Sequence, residues 1–254
     1  MRSVLASPDS GTRLRLLGGF TLTLCSDGTP PPIQHQAHRL IALLAIAGPA
    51  DRLWAADILW PEVTEQSAHS RLRNVLWHTQ TRAPGLITVA EHQLGLDPHL
   101  QIDVHDLRAA ITAALDAVAT RRQLGVLRDS GELLPGWYDD WVSAERETLR
   151  QRQINALERA ATRLIAAHRA ADAVALAQTA AALSPLRESA HRLIITAHLN
   201  LGNAAEAWHQ YETYRTLLRR ELAVPPSSQI RALIAPIHPA RHEGGPNPPH
   251  RNLS

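Results

Sequence analysis

The sequence predicts a mainly α protein in two parts: a small N-terminal part mixing strands and helices, and an all-α C-terminal part built from repeated helix pairs. Three observations carry this reading. Apolar residues follow the strand period only before residue 25 and between residues 86 and 96, and elsewhere the period is helical. At 254 residues the chain exceeds the usual single-domain size of about 100–150 residues. Asp172-Ala173 is echoed by Glu206-Ala207 at a spacing of 34 residues. That is the tetratricopeptide period, in which helix pairs stack because one repeat cannot bury its apolar face alone.

Residues 1–12 are small and polar, and are expected to be disordered. Arg13–Leu17 and Phe20–Leu24 alternate as a strand pair, with Gly18-Gly19 as the turn or bulge between them. Asp27-Gly28 and Pro30-Pro31-Pro32 close this small sheet. From Gln36 the period becomes helical, with Ala37, Leu40, Ile41, Leu44 and Ala47 on one face and Gly48-Pro49 as the stop. Asp51 is placed to cap a short second helix that ends at Trp60-Pro61.

A third helix is expected over Glu65–Thr81, with Ala68, Leu72, Val75, Leu76 and Thr79 on one face. Pro84-Gly85 leads into a hairpin, Leu86–Ala90 and Gln93–Leu96, joined by Glu91-His92. A strand pair, three helices and a terminal hairpin make a winged helix-turn-helix domain, placed at 13–105.

After Asp103 the pattern is wholly helical, with segments at Leu107–Ala119, Asp140–Ala167, Ala170–Leu183, Glu188–Leu201 and Ala204–Leu222. They form the expected tetratricopeptide-like domain, 106–237. Alanine is frequent because only a small side chain lets helix backbones approach closely. The segment around Leu107–Ala119 is expected to join a winged helix and a helical array that each fold alone. Residues 238–254, rich in Pro, Gly and His, are expected to be a flexible tail.

Composition excludes several classes. No apolar run approaches the roughly 18–20 residues needed to cross a bilayer, and no signal-peptide pattern opens the chain, so the expected location is cytoplasmic and no membrane partner is expected. The lone Cys25 cannot form an internal disulfide. His35 and His38 can share a helix face, but no acidic or cysteine cluster accompanies them, and no metal site or cofactor is expected. There is no Walker-type glycine loop and no nucleophile-elbow serine. Asp139-Asp140 is explained by a helix start, so no catalytic constellation stands out and the protein is read as not an enzyme.

The functional candidate is the third helix. All 26 basic residues are Arg, and the formal charge is only +2; residues 1–105 hold eight Arg against nine acids. Between Gln66 and Ala90, however, Arg71, Arg73, Arg82, His69 and His78 meet no acid. A helix that enters a major groove needs an apolar anchoring face and, opposite it, short polar side chains with Arg to fork onto guanine or phosphate. Ser70, Arg73 and Asn74 suit that face, with Ser67 and Arg71 on its flank and His78 and Arg82 further along. Trp77 projects to the same polar side, where packing against the hairpin is expected, or alternatively contact with the DNA backbone.

Several of these stretches together resemble the Streptomyces antibiotic regulatory protein family. Leu16-Leu17-Gly18, Arg39-Leu40 through Leu44, Leu59-Trp60-Pro61 and Ser70-Arg71-Leu72-Arg73 look like landmarks of its OmpR-type winged helix. Leu134-Pro135-Gly136-Trp137-Tyr138-Asp139-Asp140-Trp141-Val142, Glu145-Arg146, Ser184 through Arg192, Gly202 to Ala207 and Glu221 through Ser227 look like its bacterial transcriptional activator domain. The resemblance covers about residues 13–235. It departs at the wing, where Gln93-Leu94-Gly95-Leu96 replaces the usual Gly-Tyr-Arg-Leu and the link carries Glu91. Ser184 stands where the family has Asp and is expected to cap the next helix.

The resemblance implies a transcriptional activator of a secondary-metabolite gene cluster. It would bind direct repeats in double-stranded promoter DNA as a homodimer and recruit RNA polymerase holoenzyme, with phosphate contacts setting register and the third helix choosing sequence. No room is expected after residue 238 for a nucleotide-hydrolysing or sensor domain. The alternative is a helical-repeat adaptor whose N-terminal domain no longer binds DNA.

Overall fold

The computed structural model describes residues 12–23 and 33–237. The expectations for residues 1–11, Cys25, Asp27-Gly28, Pro30–Pro32 and the tail from 238 lie outside them. The described chain is mainly helical, as the sequence predicts, with small sheets confined to the N-terminal part.

Contacts divide the chain into two compact units, Met1–Ala156 and Leu157–Ser254. In the first, strand β1 (Arg13–Arg15) pairs antiparallel with β2 (Thr21–Thr23) and parallel with β6 (Gln101–Ile102), so Leu14 faces both Leu22 and Ile102. Leu14 and Leu22 are the inward members of their alternating strands, and both are buried. Helix α1 (His35–Ala47) is apolar almost all round from Leu40 onward, and Leu40 through Ile46 are all buried. Gly48 ends it at φ 84°, a left-handed conformation that glycine adopts without steric cost.

Strand β3 (Ala50–Asp51) leads directly into α2 (Arg52–Leu59). Asp51 caps α2 as expected: its side chain accepts from the Leu53 and Trp54 amides at 2.7 and 3.4 Å. Helix α3 spans Glu65–Arg82 and buries Ala68, Leu72, Val75 and Thr79. Strands β4 (Ile87–Ala90) and β5 (Gln93–Leu96) form the expected hairpin, and β5 also pairs with β3. Strand β3 was not legible in the sequence because two residues carry no period.

The unit does not stop at residue 105, where the sequence reading divides the domains. In α4 (Asp103–Leu115), Asp103 accepts the Leu16 and Leu17 amides at 2.9 and 3.0 Å. His105 Nε2 and Arg108 Nη1 donate to Ala45 O and Ile46 O, both at 2.7 Å, and so satisfy the open carbonyl end of α1. Helix α5 (Arg121–Asp129) was not foreseen; it opens with a capping box between Thr120 and Gln123. The loop after it lies on the segment that follows β1, with Gly18 N donating to Glu132 O at 2.7 Å and Leu134 N to Leu16 O at 2.8 Å. A Cβ on Gly131 would meet Gly18 N at 3.1 Å, so a side chain here would crowd this close backbone approach. Arg146 of α6 (Asp140–Ala166) clamps the same loop by donating to the carbonyls of Leu133, Leu134 and Trp137.

The second unit holds α7 (Ala170–Leu183), α8 (Glu188–Asn200), α9 (Ala204–Leu222) and α10 (Ser228–Ile234), with the C-terminal end of α6. The 34-residue echo places Ala173 and Ala207 in the first turns of α7 and α9, and both are fully buried. Arg187 donates to both Glu158 oxygens at 2.9 Å, tying the start of α8 to α6. The capping role assigned to Ser184 is corrected here. Helix α8 begins at Glu188, four residues after Ser184, with Arg187 as N-cap and no side-chain cap, while Ser184 terminates α7.

Candidate nucleic-acid interface

Helix α3 is a three-sided object. Its core side is set by Ala68, Leu72, Val75 and Thr79, whose hydroxyl returns to Val75 O at 2.7 Å and so enters the core satisfied. At about 100° per residue, the side opposite presents Gln66, Arg73, Asn74, Trp77 and Thr81, all exposed, together with the half-buried Ser70. Ser70 Oγ donates to Gln66 O at 3.0 Å and accepts from Arg73 Nη2 at 3.1 Å. That pairing holds the Arg73 guanidinium along the helix surface and leaves most of its five N–H donors open.

Arg71 and Arg73 diverge, since two residues along a helix turn about 200°. Arg71 points toward the turn before α3, with Nη1 3.8 Å from Glu62 Oε1. Arg73 points to the other flank, into a cleft of about 500 Å³ lined also by Asp51, Arg52, Leu53, His69, Leu72 and His92. Arg52 and His92 were missed by sequence reasoning. They are brought together because Arg52 N donates to His92 O at 2.9 Å where β3 meets the hairpin turn, a pairing with no local sequence signal.

Ser67 is half-buried on the flank, while His78 and Arg82 are exposed toward the C-terminal end of α3. His78 and Arg82 line a smaller cavity of about 140 Å³ together with Ile33, Gln34, Ala37 and Thr79. They are therefore more than a helical turn away from Arg73 and do not share its cleft. Arg82 sits where the negative end of the helix dipole favours a cation.

The expectation that Trp77 packs against the hairpin is corrected. Trp77 is 65% exposed, and its ring meets His78 edge-on at 4.8 Å. The hairpin turns its inward residue, Leu94, toward α1, where it is fully buried, and leaves α3's outer face uncovered. At the tip, Glu91 is exposed with φ 53°, a left-handed conformation for a non-glycine residue.

Among the described residues, no group of three or more His, Cys, Asp or Glu could hold a metal ion. His35 and His38 do share a face, with ring centroids 6.3 Å apart, and His38 stacks on Phe20 at 4.3 Å. Burial, and then the neighbouring His35, push the His38 pKa down, so this pair is a packed aromatic edge.

The described residues thus hold a winged helix whose third helix carries no acid after Glu65, followed by packed helix pairs. The family model of the bacterial transcriptional activator domain matches residues 102–238, and the chain belongs to that family. That family is one of bacterial transcription regulators, as the resemblance to the Streptomyces antibiotic regulatory proteins implies. The solved structure of Mycobacterium tuberculosis EmbR in complex with a low-affinity phosphopeptide is similar in fold, with 24% identity and a TM-score of 0.61. The match covers 89% of this chain and 64% of that one, so this chain spans less than two thirds of its length. No curated protein matched the sequence. Among the described residues, no helix is long and apolar enough to cross a membrane.

Proposed function

We propose that this protein is a sequence-specific DNA-binding transcriptional activator of a secondary-metabolite gene cluster. Helix α3 enters the major groove, where Arg73 and Asn74 read base edges. Ser67, Ser70, Arg71, Trp77, His78 and Arg82 meet backbone phosphates and sugars along its length. Two copies occupy direct repeats beside a promoter and recruit RNA polymerase holoenzyme in the cytoplasm. Residues 13–105 carry the reading of DNA and residues 106–237 the contact with protein.

The observation that carries this reading is the outer face of α3. It is exposed at Gln66, Arg73, Asn74, Trp77 and Thr81, has no acid from Gln66 to Ala90, and presents Arg73 tethered to Ser70 with its remaining donors open. An ordinary solvated helix face has no need of an exposed Trp77. A mobility shift on promoter DNA near the gene tests it. The expected result is binding that prefers one sequence and weakens with salt, with log affinity falling by about 0.9 per phosphate contact for each unit of log salt.

The adaptor reading is favoured by one specific observation: the wing tip carries Glu91, exposed, where a phosphate would be repelled. It requires that no sequence-preferring, salt-dependent binding occurs in the same experiment.

A further inference from the structure

We propose that the C-terminal unit carries a binding site for a small phosphate-bearing ligand, in the cavity between α9 and α10. The cavity has a volume of about 430 Å³ and is lined by Arg215, Arg219 and Arg231, with Tyr211 and the Val224-Pro225-Pro226 turn as its apolar surface. A volume in the range of about 300–1,000 Å³ is that of a small-molecule site.

The walls are fixed before any ligand arrives. Helix α9 ends at Ala223 in a left-handed conformation (φ 55°), and the two prolines that follow hold their own backbone angles. Ser227 then caps α10, and its backbone N donates to Glu188 at 3.0 Å while its hydroxyl donates to the same carboxylate. Tyr211 is buried in the core of this unit, tilted against Trp208 at 5.5 Å. Arg231 therefore faces the α9 arginines from a different helix, across a rigid turn. A solvated charge stripe along one helix would not make this arrangement.

The electrostatics ask for an anion. Arg215 pairs with Glu212 through Nη2 at 2.6 Å, but its Nε is buried and has no hydrogen-bond partner. Glu212 Oε1 is likewise buried without a partner, so this one carboxylate accounts for one guanidinium. Among the described residues neither Arg219 nor Arg231 makes an ion pair. Guanidinium does not deprotonate in proteins, so two positive charges remain uncompensated at one concavity. A phosphoryl group carries a charge of about −1.5 to −2 at neutral pH and three acceptor oxygens, which suits guanidinium forks arriving from more than one side. The apolar turn and the Tyr211 ring accept the organic body of a phosphate ester.

The test is calorimetric titration of the full chain with inorganic phosphate and with glucose 6-phosphate, at constant ionic strength in chloride buffer. Saturable binding is expected for the wild type, weakened at least about tenfold in Arg219→Ala/Arg231→Ala, where two charge-assisted contacts are lost. Arg220→Ala, next in sequence but outside the cavity, should bind as the wild type does. Arg219→Lys/Arg231→Lys keeps both charges and loses the forks; it should melt as the wild type without ligand and still bind more weakly. Tighter binding of glucose 6-phosphate than of inorganic phosphate identifies an ester ligand, and equal binding identifies free phosphate. The proposal is overturned if neither probe binds saturably, if Arg220→Ala weakens binding as much as the cavity pair, or if only duplex DNA titrates the site.

Discussion

Arg39 of α1 and Asp139, one hundred residues later, are joined through the guanidinium Nε at 2.9 Å and Nη2, both donating to Asp139 Oδ1. Their side chains are only 15% and 19% exposed. Asp139 therefore does more than precede a helix: it anchors the 132–139 loop on the winged helix. Asp139→Ala should cost about 1–3 kcal/mol, because a largely buried guanidinium loses its carboxylate and keeps only its bond to Gln36. A fragment ending at residue 105 lacks Asp139, Arg108 and the loop that lies on Leu16–Gly18, and should unfold well below a fragment ending at residue 156. Circular-dichroism melts of the two fragments check this, and equal midpoints would contradict it.

Glu91 holds a left-handed backbone at the wing tip, which for a non-glycine residue costs of the order of 1 kcal/mol. Glu91→Gly should therefore raise the melting midpoint, and by removing a carboxylate near phosphate it should leave DNA affinity unchanged or higher. A loss of affinity with the fold intact would show that Glu91 makes a favourable contact. Gly95 is a poor place to restore a wing arginine, because a Cβ there meets Thr88 Oγ1 at 3.0 Å.

The Arg187–Glu158 pair is bidentate, and Ser189 Oγ donates to the same carboxylate at 2.5 Å. Glu158→Ala removes the carboxylate that Arg187 and Ser189 share and should destabilise the C-terminal unit by about 1–3 kcal/mol. Urea unfolding monitored at Trp208 reads this directly, and an unchanged midpoint would contradict it.

Burial pushes the His191 pKa down from its ordinary value. In its neutral form the ring donates from Nε2 to Pro185 O at 2.8 Å and accepts at Nδ1 from Gln210 Nε2 at 2.7 Å, and it stacks on Tyr214 at 4.2 Å. The folded state thus binds fewer protons than the unfolded state below the unfolded histidine value of about 6.5. Its stabilisation is present above that value and is lost as pH falls through it toward the folded pKa. The melting midpoint should drop between pH 7.5 and 5.5, and His191→Gln should flatten part of that slope. An identical slope in the variant would remove His191 from the account.

Much of this architecture was legible because it is periodic. The α3 core face, the Asp51 cap, the two-residue hairpin link and the 34-residue echo all follow from local spacing. Helix α5 was missed although its capping box, Thr120 to Gln123, was readable, because Gly125 and a polar composition dilute its helical period. Ser184 misled because a serine just before a helical pattern resembles a cap, while Pro185 and Leu186 move the N-cap to Arg187 and the helix start to Glu188. The surroundings of Arg73 were not legible, since Arg52 and His92 reach its cleft through a two-residue strand and a hairpin turn.

On the proposed function, Arg73 reads a base from the outer face of α3. The direct measurement is the affinity of the wild type and Arg73→Ala for a footprinted operator and for each of its single-base variants. The wild type should discriminate at one position by roughly 1–3 kcal/mol, and Arg73→Ala should lose that discrimination there while keeping it elsewhere. Arg71→Ala should instead weaken all sequences alike and lower the salt slope by about one phosphate contact. Equal affinity and equal discrimination in Arg73→Ala and the wild type would contradict the account.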